Sequence, residues 1–132
     1  MNAMEYNRKD FDRILVDSPC SGTGTFSKKP DIKWKVNLLD IKKLSELQYS
    51  LLTKASTLIK KDGVLVYSTC SIEPEENFEV VKKFLENNSN FKLLNASDNV
   101  SAELVDDHNC ISTFPHIHQM DGAFAAKLMR IE

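Results

Sequence analysis

The stretch Leu15-Val16-Asp17-Ser18-Pro19-Cys20-Ser21-Gly22-Thr23-Gly24, read with Val64-Leu65-Val66-Tyr67-Ser68-Thr69-Cys70-Ser71, decides the fold. Each stretch opens on a short apolar run of the kind that forms a buried parallel strand. Each run then gives way to a turn that carries a cysteine. In an open α/β sheet, ligands and chemistry gather at the carboxyl ends of the strands. If the two strands are neighbours, both thiols and Asp17 face one crevice.

Working outward, Phe11 to Asp17 reads as a strand, and residues 18–37, with Pro19, Gly22, Gly24 and Pro30, as a long loop. Leu39 to Lys60 reads as a helix, because Leu44, Leu47, Leu51, Leu52, Ala55, Leu58 and Ile59 recur at helical spacing. Lys60 and Lys61 suit its negative end and Gly63 its stop. Val64 to Thr69 is the second strand. Pro74, set among acids, opens a helix that runs to about Asn87. Phe91 to Asn95 is a third strand, 96–109 is irregular, and Ile111 to Phe114 is a short edge strand. The Asp121-Gly122 turn leads into a last strand from Phe124 to Ile131. The order predicts an α/β fold with its first two strands parallel and adjacent. A full doubly wound nucleotide-binding sheet has about six strands and a glycine-rich first turn. This chain reads as the second half of such a fold.

The size, 132 residues, is that of one domain, with 42% hydrophobic and 27% charged residues as in a globular protein. Residues 1–10 form a polar segment, in part a cloning remnant by the spacing of Met1 and Met4, and 11–132 form the domain. That segment does not resemble a secretory signal, and no apolar run approaches the ~20 residues of a membrane helix. A net charge of −2 excludes a basic nucleic-acid-binding module by composition. Affinity for RNA then needs a local patch or another domain. Lys28, Lys29, Lys33 and Lys35 around Trp34 offer such a patch, or else a solvated loop with Trp34 in the core. The three cysteines, 20, 70 and 110, form no C-x-x-C pair and have no histidine at ligand spacing. Reduced thiols in a cytoplasm-like compartment are expected, without a metal site.

Read singly, the residues leave alternatives. Cys70 is a nucleophile or a small residue closing a strand. Asp17 is a functional carboxylate of the crevice or a loop cap. Pro19 stiffens its turn, and Gly22 and Gly24 let backbone approach a substrate. Cys110 reads as structural, and His116 and His118 as turn residues.

Taken together, the two cysteine turns resemble the RNA cytosine-C5 methyltransferase family of the Nop2/Sun/RsmB type. Lys29-Pro30-Asp31-Ile32-Lys33-Trp34, Leu47-Gln48, Leu51-Leu52, Ser71-Ile72-Glu73-Pro74-Glu75-Glu76-Asn77, Pro115-His116 and Asp121-Gly122-Ala123-Phe124-Ala125-Ala126 extend the likeness over residues 11–131. The family's glycine-rich cofactor turn and its amino-terminal RNA-binding segment have no counterpart here. Ser112 or Thr113 stands where the family often has arginine.

The resemblance implies a partial Rossmann-like methyltransferase fold with an antiparallel last strand. It implies S-adenosylmethionine as cofactor and ribosomal or transfer RNA as substrate, with a single-stranded or loop cytosine as target. Cys70 would be the nucleophile and Cys20 the group that assists product release. Asp17 would lie in the cofactor and base site, and Pro19, Ser21, Gly22, Lys29 and Lys33 on the substrate side. The work would be cytoplasmic, or nucleolar or organellar in a eukaryote. Isolated, the chain is expected to be nearly inactive. Two alternatives stand beside this. One is a non-catalytic split subunit that binds RNA, self-associates or pairs with an amino-terminal half. The other is a DNA cytosine methyltransferase fragment, with Cys20 as nucleophile.

Overall fold

Strand β1 (Phe11–Asp17) and strand β2 (Ile59–Thr69) run parallel, joined by a crossover that contains helix α1 (Leu38–Ser56). The computed structural model describes residues 8–25, 38–118 and 120–132. Helix α2 (Phe78–Asn87) leads into β3 (Phe91–Leu94). Strand β4 (Ile111–Thr113) and the short helix α3 (Pro115–His118) precede β5 (Ala123–Arg130). The sheet order is β1-β2-β5-β3. β5 is antiparallel to β2 along one edge. Its other edge is shared by β4, opposite Ala123–Ala125, and β3, opposite Lys127–Arg130. The antiparallel last strand that the resemblance implies is therefore present.

Alternation along the strands sets the core. Leu65, Tyr67 and Thr69 of β2 and Phe124, Ala126 and Leu128 of β5 are buried on one face. Leu52 and Ala55 of α1 and Val80, Val81 and Phe84 of α2 pack with these apolar residues into one cluster. Phe84 meets Phe91 edge to face, with ring centroids 5.2 Å apart.

Two element boundaries differ from the sequence reading. Helix α1 ends at Ser56 rather than Lys60. Ser56 Oγ donates to Thr53 O and Thr57 Oγ1 to Lys54 O, so hydroxyls take carbonyls from the last turn. Leu58 and Ile59 are buried as expected, but Ile59 begins β2 and Gly63 lies within that strand instead of stopping a helix. The chain between Ile59 and Val64 bulges out of register with β1, and Lys60 pairs with Asp12 there. The second departure is at Pro74, which opens a three-residue 3₁₀ turn, Pro74–Glu76, while α2 begins at Phe78. Asn77 breaks the two apart (φ −109°, ψ −107°), and its side chain turns back toward the Cys70 loop. The helix expected to open at Pro74 thus begins at Phe78, after a separate turn.

Candidate active site

The carboxyl ends of β1 and β2 bring the two cysteine turns together. The parallel ladder continues one step past β1, where Ser18 N donates to Ser68 O at 2.9 Å. Pro19 and Cys20 then turn the chain over the end of β2. Cys20 Sγ lies 3.1 Å from Cys70 Sγ, close enough to share a proton. Cys70 is exposed and Cys20 half-buried. The geometry matches the expectation that both thiols face one crevice.

Backbone contacts lock the turns. Gly22 adopts φ 74°, a left-handed conformation that glycine takes without a Cβ penalty. Gly24 N donates to Cys70 O at 3.0 Å, and Gly122 N donates to Gly24 O at 2.8 Å. A Cβ on Gly24 would stand 2.1 Å from Gly122 O and 2.6 Å from Cys70 O, so three loops meet where only glycine fits. Gly24 thus serves loop packing at this point.

Beneath the thiols lies a buried polar cluster. The Glu76 side chain is fully buried and touches four donors. Its Oε1 accepts from Ser21 N at 2.8 Å and Gln48 Nε2 at 3.2 Å. Its Oε2 accepts from Ser21 Oγ at 2.6 Å and from Ser71 Oγ. Gln48 Nε2 also donates to Pro19 O at 2.8 Å. Ser71 Oγ accepts from Glu73 N at 2.9 Å, and Thr23 Oγ1 from Ile72 N at 3.0 Å. Tyr67 OH donates to Glu76 O at 2.6 Å. Burial, with the Glu76 charge nearby, holds the Tyr67 phenol protonated well above its usual range.

The two thiols differ in chemistry. Burial, with the hydrogen bond to Cys70, pushes the Cys20 thiol up to about 12. Cys20 therefore keeps its proton at neutral pH, 3.1 Å from Cys70 Sγ.

The remaining expected residues are placed as follows. Asp17 ends β1 exposed and accepts from Ser68 Oγ at 3.2 Å. Pro19 is exposed beside it, Ser21 is half-buried on Glu76, and Gly22 is buried. Ser21 and Gly22 thus hold the turn together. Lys29 and Lys33, with Lys28, Trp34 and Lys35, lie outside the described residues. Cys110 is buried, and burial, with Asp106 nearby, pushes its thiol up to about 12. His118 Nδ1 accepts from Phe114 N at 3.0 Å and its Nε2 donates to Glu103 O, so both ring nitrogens serve the turn. Sequence reasoning missed the Glu76 cluster. Gln48 carries a readable signal, since it lies on the apolar stripe of α1 between Leu44 and Leu52, where an amide needs a partner. Glu76, one of three acids in Glu73-Pro74-Glu75-Glu76, carries none.

A model of the 16S rRNA methyltransferase RsmB/F family matches residues 2–129. The chain belongs to that family. Ribosomal RNA small subunit methyltransferase B of Photorhabdus laumondii is 39% identical over 124 residues, covering 92% of this chain and 27% of that protein. The probable methyltransferase B of Bacillus subtilis is 44% identical over 87 residues, 66% of this chain and 20% of its own length. The crystal structure of NSun6 from Pyrococcus horikoshii with SFG superposes with a TM-score of 0.83 at 28% identity, over all of this chain and 34% of that one. This chain thus spans about a quarter of the length of the curated relatives it matches. Its sheet is part of a Rossmann-like methyltransferase fold.

Members of the family are RNA methyltransferases that use S-adenosylmethionine. The described residues fit part of that cofactor. An exposed carboxylate, Asp17, stands at the carboxyl end of β1. It borders a cavity of about 610 Å³ lined mainly by apolar side chains, among them Ile14, Val16, Pro19 and Leu51. A carboxylate in that place can accept a hydrogen bond from a hydroxyl or amino group of the cofactor.

Proposed function

We propose that this chain is the catalytic-cysteine portion of an enzyme that methylates C5 of cytosine in ribosomal RNA through a covalent adduct. The observation that carries the reading is the pair of thiols at 3.1 Å, one exposed and one held protonated.

C5 of cytosine is a poor nucleophile. In the proposed reaction the Cys70 thiolate adds to C6, and the C5–C6 π pair becomes the electron pair of an enamine. S-adenosylmethionine, when bound, supplies the methyl group. C5 then loses its proton to water, the C–H pair re-forms the C5–C6 double bond, and the S–C6 pair leaves with the Cys70 sulfur, which restores the aromatic ring. Cys20 donates its S–H toward the Cys70 sulfur, which favours the thiolate both before addition and as leaving group. The raised pKa of Cys20 supports it as proton holder and Cys70 as nucleophile, against the DNA methyltransferase alternative. The cytosine must leave its stack to reach the crevice, which favours single-stranded or loop RNA. Lys29 and Lys33 are proposed to meet its phosphates, and Pro19 to border the base. We assign the work to the cytoplasm, which reduced thiols at the site support.

A second reading concerns β1. Among the described residues it pairs only with β2, and Leu15 on it is 67% exposed. An open edge of this kind suits a further parallel strand. We propose that this strand comes from the amino-terminal half of the domain that the relatives carry beyond the matched region, and that the chain alone has little activity.

The test is methyl transfer from labelled S-adenosylmethionine to a ribosomal RNA fragment. It compares the chain alone with a chimera joining it to the amino-terminal portion of the Photorhabdus relative. Label at cytosine C5 with the chimera and little with the chain alone is expected. A folded chimera that binds S-adenosylmethionine and labels no cytosine contradicts the reading.

A further inference from the structure

We infer that Glu76 is a positioning residue of the two-thiol site: its buried carboxylate sets the separation of Cys20 and Cys70. A carboxylate has about four acceptor sites. Here all are filled, by Ser21 N, Ser21 Oγ, Gln48 Nε2 and Ser71 Oγ. Two of these donors belong to the residue after Cys20, and one to the residue after Cys70. One side chain thus bridges the two turns directly behind their cysteines. Gln48, bonded to both Glu76 Oε1 and Pro19 O, fixes the same assembly to α1 from the residue before Cys20.

The turns also meet through neutral groups, with Ser21 Oγ 3.4 Å from Ser71 Oγ. Thr23 Oγ1 lies 3.2 Å from Ser71 Oγ but carries no charge and stands three residues past Cys20. Hydrogen bonds to a buried charge are stronger than neutral ones, and a half-satisfied cluster is costly. The Glu76 carboxylate is therefore the group whose loss frees the Cys20 turn to drift. That Glu76 serves methyl transfer rests on the reading above; that it sets the thiol separation does not.

A disulfide equilibrium measures that separation without RNA or cofactor. Glutathione disulfide exchanges with Cys70 to give a mixed disulfide and one glutathione. Cys20 then displaces the second glutathione and closes the Cys20–Cys70 bond. Closure brings the sulfurs to about 2.0 Å. The ratio of closed to open protein in defined glutathione buffers gives the effective concentration of one thiol at the other, and peptide mapping assigns the bond.

Glu76→Ala is expected to lower this effective concentration tenfold or more. Glu76→Gln is expected to stay within threefold of the parent, because both serine hydroxyls can accept from its amide. Phe84→Leu, which destabilises the core away from the thiols, is expected to leave the value unchanged and so separates positioning from general stability. An unchanged value in folded Glu76→Ala, or an equal fall in Phe84→Leu, overturns the inference. If Glu76→Ala does not fold, Ser21→Ala and Ser71→Ala decide. A threefold or larger fall in either supports the inference, and parent values in both overturn it. Absence of methyl transfer alongside the expected disulfide pattern counts against the proposed function and leaves the positioning role standing.

Discussion

The apolar core and the cysteine crevice lie on the same strands and are held by different forces. In the core, Leu65, Tyr67, Phe84, Phe124 and Leu128 are placed by volume, and any well-packed apolar set would serve. In the crevice, Ser21, Gln48, Ser71, Glu76 and Asn77 are placed by directional hydrogen bonds, those of Ser21 and Gln48 reaching Glu76 from segments far away in the chain. Tyr67 belongs to both, with its ring in the core and its hydroxyl on Glu76 O. The contrast separates substitutions that unfold the molecule from those that misplace a thiol.

Breaking the core side has the largest expected effect. Phe84→Ala should cost about 3–5 kcal/mol in urea unfolding, the usual cost of emptying a buried aromatic site. Breaking the crevice side with Gly24→Ala should cost about 1–3 kcal/mol, because the new Cβ meets backbone and not a flexible side chain. The same variant should lose more than tenfold in methyl transfer by the chimera, whereas a core variant of equal stability loss should keep its activity. Tyr67→Phe probes the shared residue. It removes one buried hydrogen bond and should cost about 0.5–1.5 kcal/mol.

The last effect is electrostatic and confined to alkaline pH. Cys20 and Cys110 both titrate near 12, above the 9.0 of an ordinary thiol. A thiol with a raised folded-state pKa binds its proton more tightly when folded. Its contribution to stability is present in full below pH 9 and is lost as pH rises toward 12. Urea midpoints should be flat from pH 7 to 8.5 and fall from pH 9 to 11. Cys110→Ala should make the fall shallower without changing alkylation of the exposed Cys70.

What was legible follows the same division. The parallel pair, the cysteine turns at its carboxyl end and the two helices behind it follow from short-range patterns: apolar runs, helical spacing, proline and glycine. The end of α1 was misread because Leu58 and Ile59 continue the apolar stripe in helical phase, while the hydroxyls of Ser56 and Thr57 that close the helix leave no mark in a hydrophobic pattern. The start of α2 was misread because Pro74 begins a 3₁₀ turn as readily as an α-helix. Glu76 was illegible because its partners come from three separate segments, and an acid beside Glu75 looks like its exposed neighbour. The cysteines were assigned through their resemblance to a family, and their separation became visible only in the fold.

The central claim is that Cys70 attacks while Cys20 holds a proton beside it. It is tested most directly by mapping the covalent RNA adduct formed by the chimera and its Cys20→Ser and Cys70→Ser variants. The account predicts a cytosine-bearing peptide that contains Cys70. That adduct should vanish in Cys70→Ser and persist or accumulate in Cys20→Ser, where release loses its assistant. An adduct on Cys20 that survives Cys70→Ser and disappears in Cys20→Ser would contradict it.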